Sequence, residues 1–145
     1  MPSEQTNVAT RREWRELGFF YDRSDVEKRW RIVGTRVGLN CFCDELIAFA
    51  DNPENQSKSE HVHLGPYMYL EFGSWPEPQI TDHWIAGPLS ALHALGDVIR
   101  SKLASATVGA VLSLRDAFAP GSPCDLVLEL RDEEFDPAKE DAACW

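Results

Sequence analysis

The spacing of apolar residues changes at Gly34, and this change constrains the fold more than any other feature of the chain. Before Gly34, apolar and polar residues alternate over residues 16–22 and again over 26–33, with a turn-prone segment at 23–25 between them. Alternation with a period of two is typical of strands that have one face in the core and one in water. This part of the chain therefore predicts a β-hairpin.

After Gly34, apolar residues recur at the intervals of three and four that define a helical stripe. They predict a first helix over residues 36–51, which ends before Asn52 and Pro53. A second helix is predicted over 88–105, because proline is well suited to the first turn of a helix and an apolar stripe follows it. The two stripes comprise Leu39, Phe42, Cys43, Leu46, Ile47 and Ala50, and then Leu92, Leu95, Ile99 and Leu103.

Four further segments resemble strands, at residues 67–72, 80–86, 108–115 and 125–131. The predicted order is ββαβ(β)αββ. Because each strand has a polar face, the sequence predicts an α+β fold with a single, mainly antiparallel sheet and two helices packed on one of its faces.

The chain predicts a single domain over residues 12–136. Residues 1–11 are polar and without period, which predicts a flexible N-terminus, and residues 137–145 are interpreted as an acidic C-terminal tail. The periodic positions predict the core of this domain. Its expected members are Leu17, Phe19, Trp30, Ile32, Phe42, Leu46, Met68, Leu70, Leu92, Ile99, Leu112, Leu126 and Leu128.

The charge balance disfavours whole classes of partner. With 14 Lys and Arg against 24 Asp and Glu, the net charge is −10. Phosphate backbones and anionic membranes would repel such a domain, so we expect binding to neither nucleic acid nor membrane. A negative field favours association with a basic protein partner. The N-terminal residues lack the apolar stretch of a signal peptide, which predicts a cytoplasmic protein.

The familiar catalytic signatures do not occur in the sequence. It contains no GxSxG, no GxxxxGK[ST], no GxGxxG opening a helix and no HExxH. We therefore expect a protein without catalytic residues and without an obligatory cofactor.

A histidine cluster supports a rival hypothesis of zinc binding. If the segment around His61 and His63 is extended, both imidazoles share one face, and His83 can complete a three-histidine site with an open position. Such a site would suit a metal-binding module or a small metal-dependent hydrolase. The alternative is that these histidines lie in a polar loop and only form hydrogen bonds or titrate.

Aromatic and acidic side chains are dense between residues 67 and 84, as they are on protein-binding surfaces. The candidate anchors for a partner protein are Tyr69, Glu71, Trp75, Asp82 and Trp84. A third hypothesis is a small-molecule sensor whose groove is lined by Tyr67, Tyr69 and Trp84. For each single aromatic residue, a place in the core is the alternative.

The segment GPYMYLEFGSWPEPQITDHWIAGPLSALHAL, with SEHVHL before it and AFAPGSPCDLVLELRDEEFDP further on, carries a resemblance to known proteins. Over about residues 14–136 the chain resembles small uncharacterised bacterial proteins and the single-domain immunity proteins that accompany polymorphic toxins. The resemblance implies an acidic α+β domain that binds a co-encoded toxin and blocks it.

Overall fold

The structure, a computed structural model, describes residues 3–56 and 60–145. This part of the chain contains five α-helices: α1 (Glu4–Leu17), α2 (Arg36–Asp51), α3 (Leu89–Ser105), α4 (Arg115–Phe118) and α5 (Pro137–Glu140). It contains eight strands: β1 (Phe19–Ser24), β2 (Arg29–Gly34), β3 (His61–Leu64), β4 (Leu70–Ser74), β5 (Gln79–Ile80), β6 (Ile85–Gly87), β7 (Val111–Ser113) and β8 (Asp125–Leu130). None of the helices described has the length and apolar content needed to cross a bilayer.

The strands form two four-stranded sheets with the same internal pattern. The first sheet has the order β1-β2-β8-β7 and the second the order β3-β4-β6-β5. In each sheet the two outer pairs are antiparallel, and the central pair, β2 with β8 or β4 with β6, is parallel. Both sheets are therefore mixed.

The protein is α+β, but the predicted architecture of one mainly antiparallel sheet with two helices is wrong. Alternation along a strand shows which side chains share a face and says nothing about the neighbouring strand. The pairing of β2 with β8 joins residues about a hundred positions apart, with the whole second sheet between them in the chain. Only tertiary packing decides such a pairing.

Helix α2 connects the two sheets through their cores. The Phe42 ring lies 5.5 Å from the Phe19 ring of β1 and 5.6 Å from the Phe72 ring of β4, in edge-to-face contact with both. Helix α3 packs closely on α2 at Gly96, where an added Cβ would lie 2.4 Å from Ile47 Cγ1. The helix predicted over 36–51 is confirmed, and the second helix differs from its prediction only by starting at Leu89.

Ten of the thirteen predicted core residues are fully buried. Leu17 and Leu112 are half-buried. Met68 is an error, since 59% of it is exposed. The predicted strand over 67–72 begins only at Leu70, and Met68 precedes it with a φ of +57°, so the period of the strand does not extend to this residue.

The segments expected to lack structure at the two ends contain helices that contact each other. Helix α1 occupies Glu4–Leu17, where only Trp14 is buried, so the sequence contains no apolar stripe that predicts this helix. The Trp14 indole N–H donates to Asp141 Oδ2 at 2.9 Å, just beyond α5. Met1 and Pro2, at the start of the predicted flexible segment, lie outside the described residues.

Candidate metal centre and its aromatic surroundings

The register of the second sheet brings two histidines next to a glutamate. His61 and His63 alternate on β3, so their side chains share a face. In the antiparallel pairing with β4, His63 lies opposite Glu71 and His61 lies opposite Gly73. Directly opposed residues project from the same side of a sheet, so both imidazoles stand beside the Glu71 carboxylate.

Three imidazoles surround this carboxylate, which is only 5% exposed. The shortest distances from its oxygens are 3.9 Å to His61 Nε2, 4.0 Å to His63 Nδ1 and 3.6 Å to His83 Nε2. We call these four residues the His–Glu cluster. Within it, ligand atoms of His61, His63 and Glu71 all lie within 4.8 Å of one another, whereas His83 is not part of that compact group.

Two imidazoles and one carboxylate form a ligand set used by catalytic zinc sites and by mononuclear iron(II) sites. Zinc ligands at bond lengths of about 2.0–2.1 Å in a tetrahedron are separated by about 3.3 Å. Here His61 Nε2 lies 3.9 Å from a Glu71 oxygen, and the ligand atoms of His61, His63 and Glu71 lie within 4.8 Å of one another. Side-chain rotations would therefore have to bring these donors closer together around an ion.

A backbone contact orients His63 within the cluster. Its Nδ1 lies 3.0 Å from the carbonyl oxygen of Met68. Because a carbonyl only accepts hydrogen bonds, Nδ1 carries the proton in this contact, and Nε2 of the neutral ring is left to bind a metal. A carbonyl partner on the second ring nitrogen is the usual support of a metal-binding histidine.

The loop that supplies this carbonyl has an unusual backbone. Gly65, Tyr67 and Met68 have φ values of +72°, +67° and +57°, a region that side chains other than glycine rarely adopt. The loop is held from outside: the Tyr21 hydroxyl donates to the Pro66 carbonyl, and the Tyr67 hydroxyl donates to Asp141 at 2.6 Å. Such strain persists only where surrounding contacts determine it, and it concentrates at functional sites.

Trp84 covers the sheet next to Glu71. A Cβ on Gly73 would lie 2.2 Å from Trp84 Cε3, so only glycine lets the indole lie across β4. The Trp84 ring is 4.9 Å from the His83 ring and 5.6 Å from the Trp75 ring. The side chain of Glu71 is 6% exposed, whereas those of the three histidines around it are 35–62% exposed.

The structure places the five predicted partner anchors at different depths. Tyr69, Trp75 and Asp82 are exposed, whereas Glu71 and Trp84 are buried. Glu71 was predicted only as a partner contact, and its place among the histidines was not predicted. The alternation in HVH (61–63) and in YLE (69–71) shows which side chains share a face within each strand. Only the register between β3 and β4 shows that the two sets of side chains meet.

Two of the three residues of the groove hypothesis line one cavity, and the hypothesis itself stays a prediction. Tyr67 and Tyr69 line a cavity of about 390 Å³ together with Trp14, Tyr21, Trp30 and Asp141. Trp84 is not among the residues that line it, because its ring lies across Gly73 instead.

His93, the remaining histidine of the chain, lies outside the cluster on α3. Its Nδ1 is 2.7 Å from Asp51 Oδ1, and its Nε2 is 3.3 Å from Asp97 Oδ2. The hydrogen bond to Asp51 and the charges of both carboxylates raise the pKa of His93 above its ordinary value. His93 therefore interacts with Asp51 and Asp97 and not with Glu71, so it serves as an internal control for the other three histidines.

No protein-family model matches this chain, and no curated protein and no solved structure matches it. The resemblance to immunity proteins thus stays a prediction.

Proposed function

We propose that this chain binds a divalent transition-metal ion, with zinc as the first candidate, through His61, His63 and Glu71. The observation that carries the proposal is the buried Glu71 carboxylate with three imidazoles at 3.6–4.0 Å. Because this carboxylate is only 5% exposed, a cation bound beside it would stabilise its charge.

His83 can act in either of two ways in this proposal. It approaches Glu71 most closely but is not part of the compact group, and it is well exposed. As a fourth ligand it would close the coordination shell, as in structural zinc sites. As a partner of Glu71 alone it would leave one position open to water.

The first prediction concerns zinc binding by protein purified without a histidine tag. We expect one zinc ion per chain by elemental analysis. His63→Ala and Glu71→Gln should each weaken binding by more than the roughly 10- to 100-fold that loss of an outer partner costs. Binding should also weaken as the pH falls, because protons compete with the metal for the imidazoles.

His93→Ala is the matched control, since it removes a histidine outside the cluster and should leave zinc affinity unchanged. His83→Ala distinguishes the two roles: a loss as large as that of His63→Ala identifies a fourth ligand, and a smaller one an outer partner. The alternative explanation is that a protonated imidazole neutralises Glu71. Absence of stoichiometric zinc, or an equal loss in His93→Ala, would favour that explanation and contradict the proposal.

A second candidate function, binding of a basic protein partner, is favoured by the exposed apolar side chains around the cluster. Tyr67, Met68, Tyr69 and Trp75 are all exposed. The Met68 carbonyl contacts His63, and Trp75 contacts the Trp84 ring beside His83, so these side chains flank the cluster on two sides. Aromatic residues and methionine are the types enriched in interface cores.

We propose that this surface, together with the net charge of −10, binds a basic protein of the kind that the immunity resemblance implies. The charge would accelerate encounter, and the aromatic side chains would supply affinity. A lysine or arginine of the partner could pair with Glu71, and it would then compete with the metal for the same carboxylate.

The second prediction tests binding to the protein encoded by the adjacent upstream gene. We expect an association rate that falls steeply with added salt, because screening removes the long-range attraction. Tyr69→Ala should raise the Kd by about tenfold or more, as loss of an interface anchor does. Val26→Ala, at an exposed position on the β1–β2 turn, is the control and should leave the Kd unchanged. A neighbour that does not bind, or equal binding by both variants, would contradict this candidate.

A further inference from the structure

The cavity beside the strained loop is lined mainly by aromatic residues. Tyr67 and Tyr69 are exposed at its mouth, and the buried Trp14, Tyr21 and Trp30 form its floor. We call it the aromatic pocket and define it by Trp14, Tyr21, Trp30, Tyr67 and Tyr69. The Trp14 ring lies 5.2 Å from the Tyr21 ring and 6.3 Å from the Tyr67 ring, and Tyr67 and Tyr69 are 6.0 Å apart. Its volume of about 390 Å³ is within the range of about 300–1,000 Å³ typical of small-ligand sites.

The charged side chains at the rim of this pocket are engaged in ion pairs. Arg23 forms an ion pair with Asp25 at 2.8 Å, and Arg31 forms one with Asp22, also at 2.8 Å. Asp141 is different, because it is only 8% exposed and makes no ion pair with any residue in 3–56 or 60–145. The uncompensated charge of the pocket is therefore the negative charge of Asp141.

The carboxylate of Asp141 has little hydrogen-bonding capacity left. Its Oδ2 accepts from the Trp14 indole at 2.9 Å and from the Tyr67 hydroxyl at 2.6 Å, and its Oδ1 accepts from the Ala143 amide at 3.0 Å. These bonds use three of about four acceptor sites. A primary ammonium would bring three N–H donors that need acceptors, whereas a quaternary ammonium brings none.

One of the chain's own cations already lies against the buried Trp30 ring at the floor of this pocket. The Arg23 guanidinium carbon lies 5.7 Å from the centre of the Trp30 ring, within the range of about 6 Å over which a ring face attracts a cation. Ring faces and a carboxylate that already accepts three hydrogen bonds stabilise a cation through their electric field, and they do not require the cation to donate a hydrogen bond.

We propose that the aromatic pocket binds a quaternary or fully methylated ammonium group. This site is separate from the His–Glu cluster and does not depend on metal binding there. The same chemical group occurs on free organic cations and on trimethylated lysine side chains of proteins, so the test has one arm for each source.

The third prediction is binding of choline, measured by calorimetry and by quenching of tryptophan fluorescence. We expect choline to bind at least about tenfold more tightly than dimethylbutanol, its uncharged isostere, because the ring faces and the carboxylate attract the positive charge of choline. Tyr69→Ala should weaken choline binding by about tenfold, and Tyr69→Phe, which keeps the ring face, should largely restore it. Tyr69 is 65% exposed, so both variants should fold normally.

Asp141→Asn tests the carboxylate itself and should reduce binding of choline but not of the isostere. Val111→Ala, at an exposed position on β7, is the control and should bind choline normally. A trimethyllysine peptide replaces choline in the second arm. Binding of either cation with this variant pattern supports the proposal and identifies the source. Failure of both cations to bind, or equal binding of choline and its isostere, overturns it.

Discussion

Trp30→Ala should lower the free energy of unfolding by about 3–5 kcal/mol, measured by urea denaturation. Trp30 is fully buried on β2, and its indole N–H donates to the Thr81 carbonyl at 2.7 Å. That bond connects the first sheet to the segment between β5 and β6 of the second sheet. The substitution removes a large apolar surface, leaves a cavity and deprives a carbonyl of its donor, so three costs add.

Two variants show whether this expected loss has the stated cause. Trp30→Phe keeps most of the ring but removes the N–H, so its unfolding free energy should lie between those of the wild type and the alanine variant. Val26→Ala changes a residue that is 93% exposed and should alter stability by no more than about 0.5 kcal/mol. A loss below about 1 kcal/mol for Trp30→Ala would mean that Trp30 is not packed as described.

Gly38→Ala should destabilise the protein by about 3 kcal/mol, the upper part of the range for overpacked sites. A Cβ at Gly38 would lie 2.1 Å from the carbonyl oxygen of Gly18, which is backbone and cannot rotate away. Gly18 ends α1 with a φ of +92°, and its amide donates to the Trp14 carbonyl at 3.0 Å. The first turn of α2 would therefore have to move away from the turn between α1 and β1.

Helix propensity alone predicts the opposite sign for this substitution. Alanine is favoured over glycine within a helix by about 1 kcal/mol. We expect the contact with Gly18 to outweigh this gain, because the steric cost is larger. Gly121→Ala is the control, since nothing lies within 4 Å of its added Cβ. Thermal denaturation of both variants checks the sign, and a more stable Gly38→Ala protein would disprove the close contact.

Local patterns predicted the elements whose side chains face one continuous apolar environment. Helix α2 was predicted over its observed range because its stripe repeats over four turns and Asn52-Pro53 follows. The hairpin of β1 and β2 was predicted for the same reason, although its strands begin later than expected. Helix α1 was not predicted, because its one buried residue, Trp14, does not form a repeating apolar pattern.

The candidate site was predictable only in part. The alternation of His61 and His63 is a local property, and it correctly indicated a shared face if the segment is extended, as β3 is. The position of Glu71 opposite His63 depends on the register between β3 and β4, which are joined by the loop with positive φ values at Tyr67 and Met68. No periodic pattern in the sequence reports that register.

The sequence by itself determined the α+β class, helices α2 and α3, the first hairpin and the placement of His61 and His63 on one face. These follow from hydrophobic periods of 2 and 3.6 residues, which act over a few residues. Tertiary structure alone decided the division into two sheets and the parallel pairing of β2 with β8. It also decided the hydrogen bond between Trp14 and Asp141, which lie near opposite ends of the sequence. Such long-range contacts depend on the summed burial and hydrogen bonding of the whole domain, and no local pattern encodes them.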